Sequence, residues 1–394
     1  MSQQTSKKTT VIKKKDDLKG AVHSFNYIIG TQQIGETYSF GNGTRLVNAA
    51  NEIQKLGSNV LKIALTAKYT IQNGLPQNKK IKTITDLVQM DTSVRRVLDM
   101  PFTDYLFWAY PFTSQHSGLW NDDEPYTEKD KQAEYDEMYD LTVYLLKNYK
   151  GTGKTFYLGN WEGDWHLYKD RNILNPPPAK RIQAMADWLN IRQKAVNDAK
   201  RNTTTHDVQV YFYIEVNQGI LALTGKTCVT NNVLPLLNVP PDFISISSYS
   251  IQWKSQDTIR LVLDYLKSKL APRNDIQGSR IIIGEYGFSR SLKMSSAQQA
   301  YLYQQAAVKY MSWGPRFILS WQLYDNSFPK FSKPKEYNLI DRNNKQTPLY
   351  KLHNEFLIKA KEYVSDYYQQ YNRLPAEQVY TTNAMEILKA IKLN

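Results

Sequence analysis

Two glutamates stand where carboxylates are seldom found by accident. Glu285 lies in I-I-I-G-E-Y-G (281–287), and Glu162 lies in Y-L-G-N-W-E-G-D-W (157–165), between two tryptophans. Each follows a short apolar run of strand character, so each comes at a strand end and not on a solvated helix face. A pair of carboxyl groups flanking a glycosidic bond can cleave it. One, protonated, gives its proton to the leaving oxygen; the other, ionised, attacks the anomeric carbon or activates water. Trp161, Trp165, Trp253 and Trp321 offer flat apolar faces on which sugar rings stack, and Asn and Gln side chains, which donate and accept, suit hydroxyl groups. The bland reading makes Glu162 part of a turn and Glu285 a structural ion-pair partner. Asp164 and Glu215 are alternative acids.

Opposed carboxylates need a scaffold that brings distant segments to one rim. Strand-like runs occur at 20–28, 59–65, 105–111, 155–162, 208–215, 242–249, 280–287 and 316–323. Between them lie segments of helical period at 44–56, 84–98, 128–149, after P-P-P (176–178), 256–270 and 295–311, with a weaker one at 220–237 and a last one after Pro348. Repeated strand–helix units imply parallel strands with crossover helices. Eight pairs predict an α/β protein of the (β/α)8 TIM-barrel class, with a basic flexible tail over 1–18, the barrel over 19–364 and a helical extension over 365–394. In such barrels active sites form at the C-terminal strand ends. The residues expected there, besides the two glutamates, are His23, Asn160, Trp161, Glu215, Asn217, Tyr249, Trp321 and Gln322, all as substrate contacts.

These strand-end motifs resemble the clan A glycoside hydrolases, retaining (β/α)8 enzymes. I-I-I-G-E-Y-G is similar to the clan's nucleophile strand, S-S-Y (247–249) to its strand-six tyrosine, and F-I-L-S-W (317–321) to its strand-eight tryptophan. The resemblance implies that Glu285 is the nucleophile, Glu162 the acid/base, Tyr249 the partner of Glu285 and Trp321 the floor of the first sugar subsite. The clan places Asn directly before the acid/base Glu. Here Trp161 is interposed between Asn160 and Glu162, which marks a divergent member and leaves the amide contact to Asn217, Asn26 or Gln322. The rival expectations are an inverting enzyme using another pair, such as Glu215 with Glu285, and a catalytically silent barrel that binds a glycan or a protein.

Composition narrows the field. The formal charge is +13, but six lysines against two aspartates fall in the first twenty residues, and the remainder is spread along lysine-rich helices. With no recognition motif for RNA or DNA, a solvated basic surface is expected in place of nucleic-acid binding. No apolar run approaches the roughly eighteen residues of a membrane span. The N-terminus has no apolar core of a signal peptide, and one cysteine, Cys228, allows no intrachain disulfide. Five histidines show no paired ligand spacing, so neither a metal nor any other cofactor is expected. G-T-G-K-T (151–155) precedes a strand where a phosphate loop must follow one, and G-F-S-R-S (287–291) lacks the last glycine of a nucleophile elbow.

Overall fold

A computed structural model describes residues 18–113, 126–168, 170–327 and 334–393. Eight parallel strands close into a barrel in sequence order, β1 (Ile29–Gln32), β2 (Val60–Leu65), β3 (Asp104–Ala109), β4 (Thr155–Gly159), β5 (Gln209–Val216), β6 (Phe243–Ser247), β7 (Ile281–Tyr286) and β8 (Ile318–Ser320), with β8 returning to β1. The (β/α)8 expectation is therefore met, and the segments between strands carry the crossover helices. The expected tail lies, but for its last residue, outside the described residues, and among the described residues no helix is long and apolar enough to cross a membrane.

The differences from the expected elements have local causes. The first strand is not 20–28: residues 18–24 are helical, and β1 is I-G-T-Q, half polar, which apolar-run counting passes over. The helix expected over 84–98 is two helices, Ile84–Met90 and Thr92–Asp99. Asp91 splits them, because its carboxylate accepts from the amides of Ser93 (2.9 Å) and Val94 (3.0 Å) and starts the second helix. The segment 220–237 is a short helix, a single π turn and a 3-10 turn in succession. The helix Pro348–Tyr371 runs unbroken through residue 365, and only Glu377–Ala390 forms a separate final helix. Gln304 ties that helix down through the carbonyls of Leu388 (2.7 Å) and Ile391 (3.0 Å), and Tyr380 donates to the carbonyl of Tyr27 (3.1 Å) beneath β1.

Alternation along the strands fills the barrel in layers. Val60, Leu106, Tyr157, Tyr213, Phe243, Ile282, Phe317 and Leu319 make an apolar cluster in the lower interior. Two residues further along the same strands come Lys62, Glu215, Ser245 and Gly284, all buried polar groups or glycine. This charged layer lies directly under the C-terminal rim.

Candidate active site

A cleft of about 580 Å³ opens at that rim. Its wall includes Glu162 from the end of β4, Tyr249 from the turn after β6, Glu285 from β7 and Trp321 following β8, together with Trp161, Trp165 and Trp253. A larger cavity, about 790 Å³, lies elsewhere, between residues 278–281 that lead into β7 and the helices Gln256–Lys267 and Glu377–Ala390. That is the N-terminal side of the barrel, so the positional rule for barrel active sites selects the smaller cleft.

Glu285 is 2% exposed. The Tyr249 hydroxyl donates to its Oε2 at 3.1 Å, and the Lys62 ammonium stands 3.6 Å from Oε1. Burial pushes the Glu285 carboxyl well above the usual range; Lys62 opposes this, while the charges of Glu215 and Glu162 add to it. Tyr249→Phe removes one hydrogen bond to a charged acceptor, so a loss of about 10–100-fold in kcat is expected, with folding intact. Steady-state kinetics and a thermal melt check it.

Glu162 leaves the strand ladder. β4 stops at Gly159, and Glu162 becomes the N-cap of the one-turn helix Gly163–Leu167. The residue is 7% exposed, and its carboxyl is pushed up to about 8, first by burial and next by the charge of Glu215, with Lys62 and Arg171 pulling it down. A carboxyl in that state holds its proton at neutral pH and can give it away.

Beneath both lies a residue placed by sequence among the substrate contacts. Glu215 has no exposed surface and does not line the cleft. Its Oε2 accepts from Lys62 Nζ (2.9 Å) and Ser245 Oγ (2.9 Å), and its Oε1 from Ser247 Oγ (3.1 Å) and the backbone amide of Glu162 (3.3 Å). It can be neither a sugar contact nor a partner acid for Glu285. Lys62 was not anticipated. The signal was present in V-L-K-I-A-L (60–65), a lysine inside an apolar strand, which a barrel interior tolerates only opposite a carboxylate.

Gly284 shows how tightly this layer is built. A Cβ there would meet Ser245 Oγ at 2.1 Å and Glu215 Oε2 at 2.3 Å, so the glycine before Glu285 is required by the carboxylate behind it. Gly284→Ala is expected to cost about 1–3 kcal/mol of stability by overpacking. It should also reduce activity out of proportion, since the displaced groups are those around Lys62; denaturant unfolding and kinetics on the same sample check both.

The remaining expected contacts divide. Trp161 is half-buried in the cleft wall, with the Arg171 guanidinium 5.1 Å from its ring, and Trp321 stacks on Trp108 at 5.9 Å. The peptide between Trp321 and Gln322 is cis. Trp253 is 52% exposed at the mouth. Asn160, by contrast, is fully buried: it donates to the Glu215 carbonyl (3.0 Å) and accepts from the Glu215 amide (3.1 Å), clamping β4 to β5. Asn217 accepts from the amide of Asp164 (3.1 Å), and Asp164 accepts from the amides of Asn217 (2.8 Å), Gln218 (3.0 Å) and Val229 (2.8 Å), which makes it a loop tie and not the acid. Gln322 is buried and accepts from the amide of Ile34 (3.2 Å). His23 and Asn26 are at the wrong end of the barrel. His23 borders a cavity with Ser58, Asn59 and Lys361, and Asn26 donates to the carbonyl of Arg316 (2.9 Å), before β8. Among the described residues the side-chain amides that line the cleft are Gln252 and Asn326, alongside Arg171 and Tyr337, none of them named from the sequence. Among the described residues no cluster of His, Cys, Asp and Glu could hold a metal ion.

No protein-family model and no curated protein sequence matches the chain. Solved structures do. A glucosidase from Croceicoccus marinus superposes with a TM-score of 0.53 at 11% identity, over 83% of this chain and 67% of that one. A family 39 glycoside hydrolase from Bacteroides cellulosilyticus WH2 gives 0.51 at 11% identity, over 84% of this chain and 64% of that one. What they share with this chain is the fold. The chain spans less than two thirds of the family 39 protein and 34% of a β-glucuronidase from Bacteroides uniformis. The barrel expected from the sequence is thus a fold also found in proteins named as a glucosidase and a family 39 glycoside hydrolase.

Proposed function

We propose that the protein is a retaining glycoside hydrolase, or a transglycosylase of the same mechanism, acting on an oligo- or polysaccharide. The observation that carries this reading is the pairing, in one aromatic-walled cleft, of two buried glutamates from β4 and β7 with opposite surroundings. Lys62 and the Tyr249 hydroxyl oppose the upward push that burial gives Glu285, whereas the largest charge effect on Glu162, from Glu215, adds to its burial. A fold shared with a glucosidase and a family 39 glycoside hydrolase supports the reading, although fold alone never decides function.

In the first step a carboxylate oxygen of Glu285 forms a bond to the anomeric carbon. The bond to the leaving oxygen breaks, and that oxygen takes the proton of Glu162. Glu285 is then an uncharged ester, so a negative charge forming on Glu162 no longer meets one on Glu285. Glu162, now ionised, takes a proton from water or a sugar hydroxyl. The incoming oxygen attacks the anomeric carbon, and the second inversion frees Glu285 with net retention. Trp161, Trp165, Trp253 and Trp321 supply stacking faces, and an exposed Trp253 at the mouth suits a chain longer than one sugar.

The inward turn of Asn160 favours a second reading, a silent barrel that only binds glycans, because the amide next to the acid does not face the cleft. A panel of polysaccharides separates the two. The enzyme reading expects wild-type cleavage of at least one glycan, with Glu162→Gln and Glu285→Gln retaining binding and losing turnover. Retention of a glycan without cleavage by the wild type would establish the silent barrel instead.

A further inference from the structure

We infer that Glu215 is a positioning residue, a third carboxylate sealed from substrate that sets the arrangement of both Glu285 and Glu162 through Lys62 and the Glu162 backbone amide. The inference rests on the reading of Glu162 and Glu285 as the reacting pair.

The geometry leaves Glu215 no capacity for other work. A carboxylate has about four acceptor positions, and four donors occupy them, two on each oxygen. One of those donors is the amide of Glu162, so Glu215 fixes the point at which the chain departs from β4 and carries the acid into the cleft. Another is Lys62, whose three protons face three acceptors: Glu215 Oε2 at 2.9 Å, the Gly284 carbonyl at 3.1 Å and Glu285 Oε1 at 3.6 Å. Lys62 is therefore held nearer to Glu215 and reaches Glu285 only across a longer gap. The two serines that complete the shell lie on β6, where the register with β7 shifts so that Ser247 comes level with Glu285.

Stability does not explain this layer. A buried ion pair is usually no better than well-packed apolar residues of the same volume, and the lower interior of the same strands is apolar. On these strands the charged layer abuts the two reacting carboxyls. Its effect on them is electrostatic as well as steric. Glu162 faces Glu215, Lys62, Arg171 and Asp164; Glu285 faces Lys62, Glu215, Glu162 and the Tyr249 hydroxyl. Neutralising Glu215 removes a charge that favours the protonated acid and leaves Lys62 wholly to Glu285. Both carboxyls then release their protons more readily.

The test is a carboxyl titration by NMR on full-length protein labelled with glutamate enriched in carbon-13 at the side-chain carboxyl. The Glu162 and Glu285 signals are identified by their loss in Glu162→Gln and Glu285→Gln. In folded Glu215→Gln the Glu162 midpoint is expected to move down by about one pH unit, and the basic limb of kcat to move with it while KM stays within about twofold. A folded Glu215→Gln with an unmoved midpoint and limb would reduce Glu215 to packing and overturn the inference. Should that variant not fold, Ser247→Ala, which withdraws one donor from Glu215, is expected to lower kcat about 3–10-fold at constant KM. An unchanged kcat would count against the proposal. The titration needs no substrate, so a wild type that cleaves no glycan would refute the glycosidase reading on its own, separately from what the carboxyl midpoints show.

Discussion

Replacing Glu285 with Gln is expected to lower kcat by roughly 10⁴-fold or more while leaving the protein at least as stable as the wild type. The amide has the shape of the carboxylate and still accepts from the Tyr249 hydroxyl, so the cleft keeps its form. In the proposed mechanism what it lacks is the charged oxygen that attacks the anomeric carbon, and the nearest carboxylate beneath, Glu215, is sealed under the floor. The stability side follows from charge counting. Among the described residues, Glu162, Glu215 and Glu285 share one buried cation, Lys62. Removing the carboxylate that Lys62 holds less closely relieves repulsion and leaves the Lys62–Glu215 contact intact. A glutamine variant that turns over within tenfold of the wild type would remove Glu285 from the mechanism; one that melts at a markedly lower temperature would contradict the charge argument.

The second large effect concerns Glu162. Glu162→Gln is expected to lower kcat about 10²–10⁴-fold on natural glycosides, and much less on substrates whose leaving group departs without protonation. The pH dependence has a definite sign. The folded carboxyl is pushed up to about 8 from an ordinary value of 4.5, so the folded state binds this proton more tightly than the unfolded chain. Its contribution to stability is fully present below about pH 4.5 and is lost as pH rises through about 8. Turnover needs the same proton, so the basic limb of kcat should fall near pH 8 and vanish in the variant. The difference in melting temperature between wild type and Glu162→Gln should change across that window, against the wild type at the alkaline end. A difference independent of pH would mean that Glu162 is already ionised at neutrality.

The strand ends were the legible part of this molecule. Alternation of apolar runs with helical periods forecasts the barrel, and the barrel rule then puts Glu162, Glu285, Tyr249, Trp161 and Trp321 on one rim, where they line one cleft. Illegible was whatever depends on where a ladder stops. β4 ends at Gly159, so Asn160 turns into a clamp while Trp161 and Glu162 line the cleft. β1 is the half-polar tetrapeptide I-G-T-Q, so His23 and Asn26, assigned to its end, belong to the opposite face of the barrel. The Lys62–Glu215 pair spans 153 residues of sequence, and nothing local to either residue names its partner. Long-range pairing of buried charge is a property of the closed sheet, visible beforehand only as a lysine where an apolar residue would fit better.

The central claim is double displacement at Glu285, and the anomeric configuration of the first product tests it most directly. Once a polysaccharide screen yields a substrate, proton NMR within the first minutes of hydrolysis distinguishes the product's anomers before mutarotation mixes them. The account predicts that the product first appears with the configuration of the bond that was cleaved. First appearance of the opposite anomer would mean single displacement by water, and would contradict Glu285 as a nucleophile.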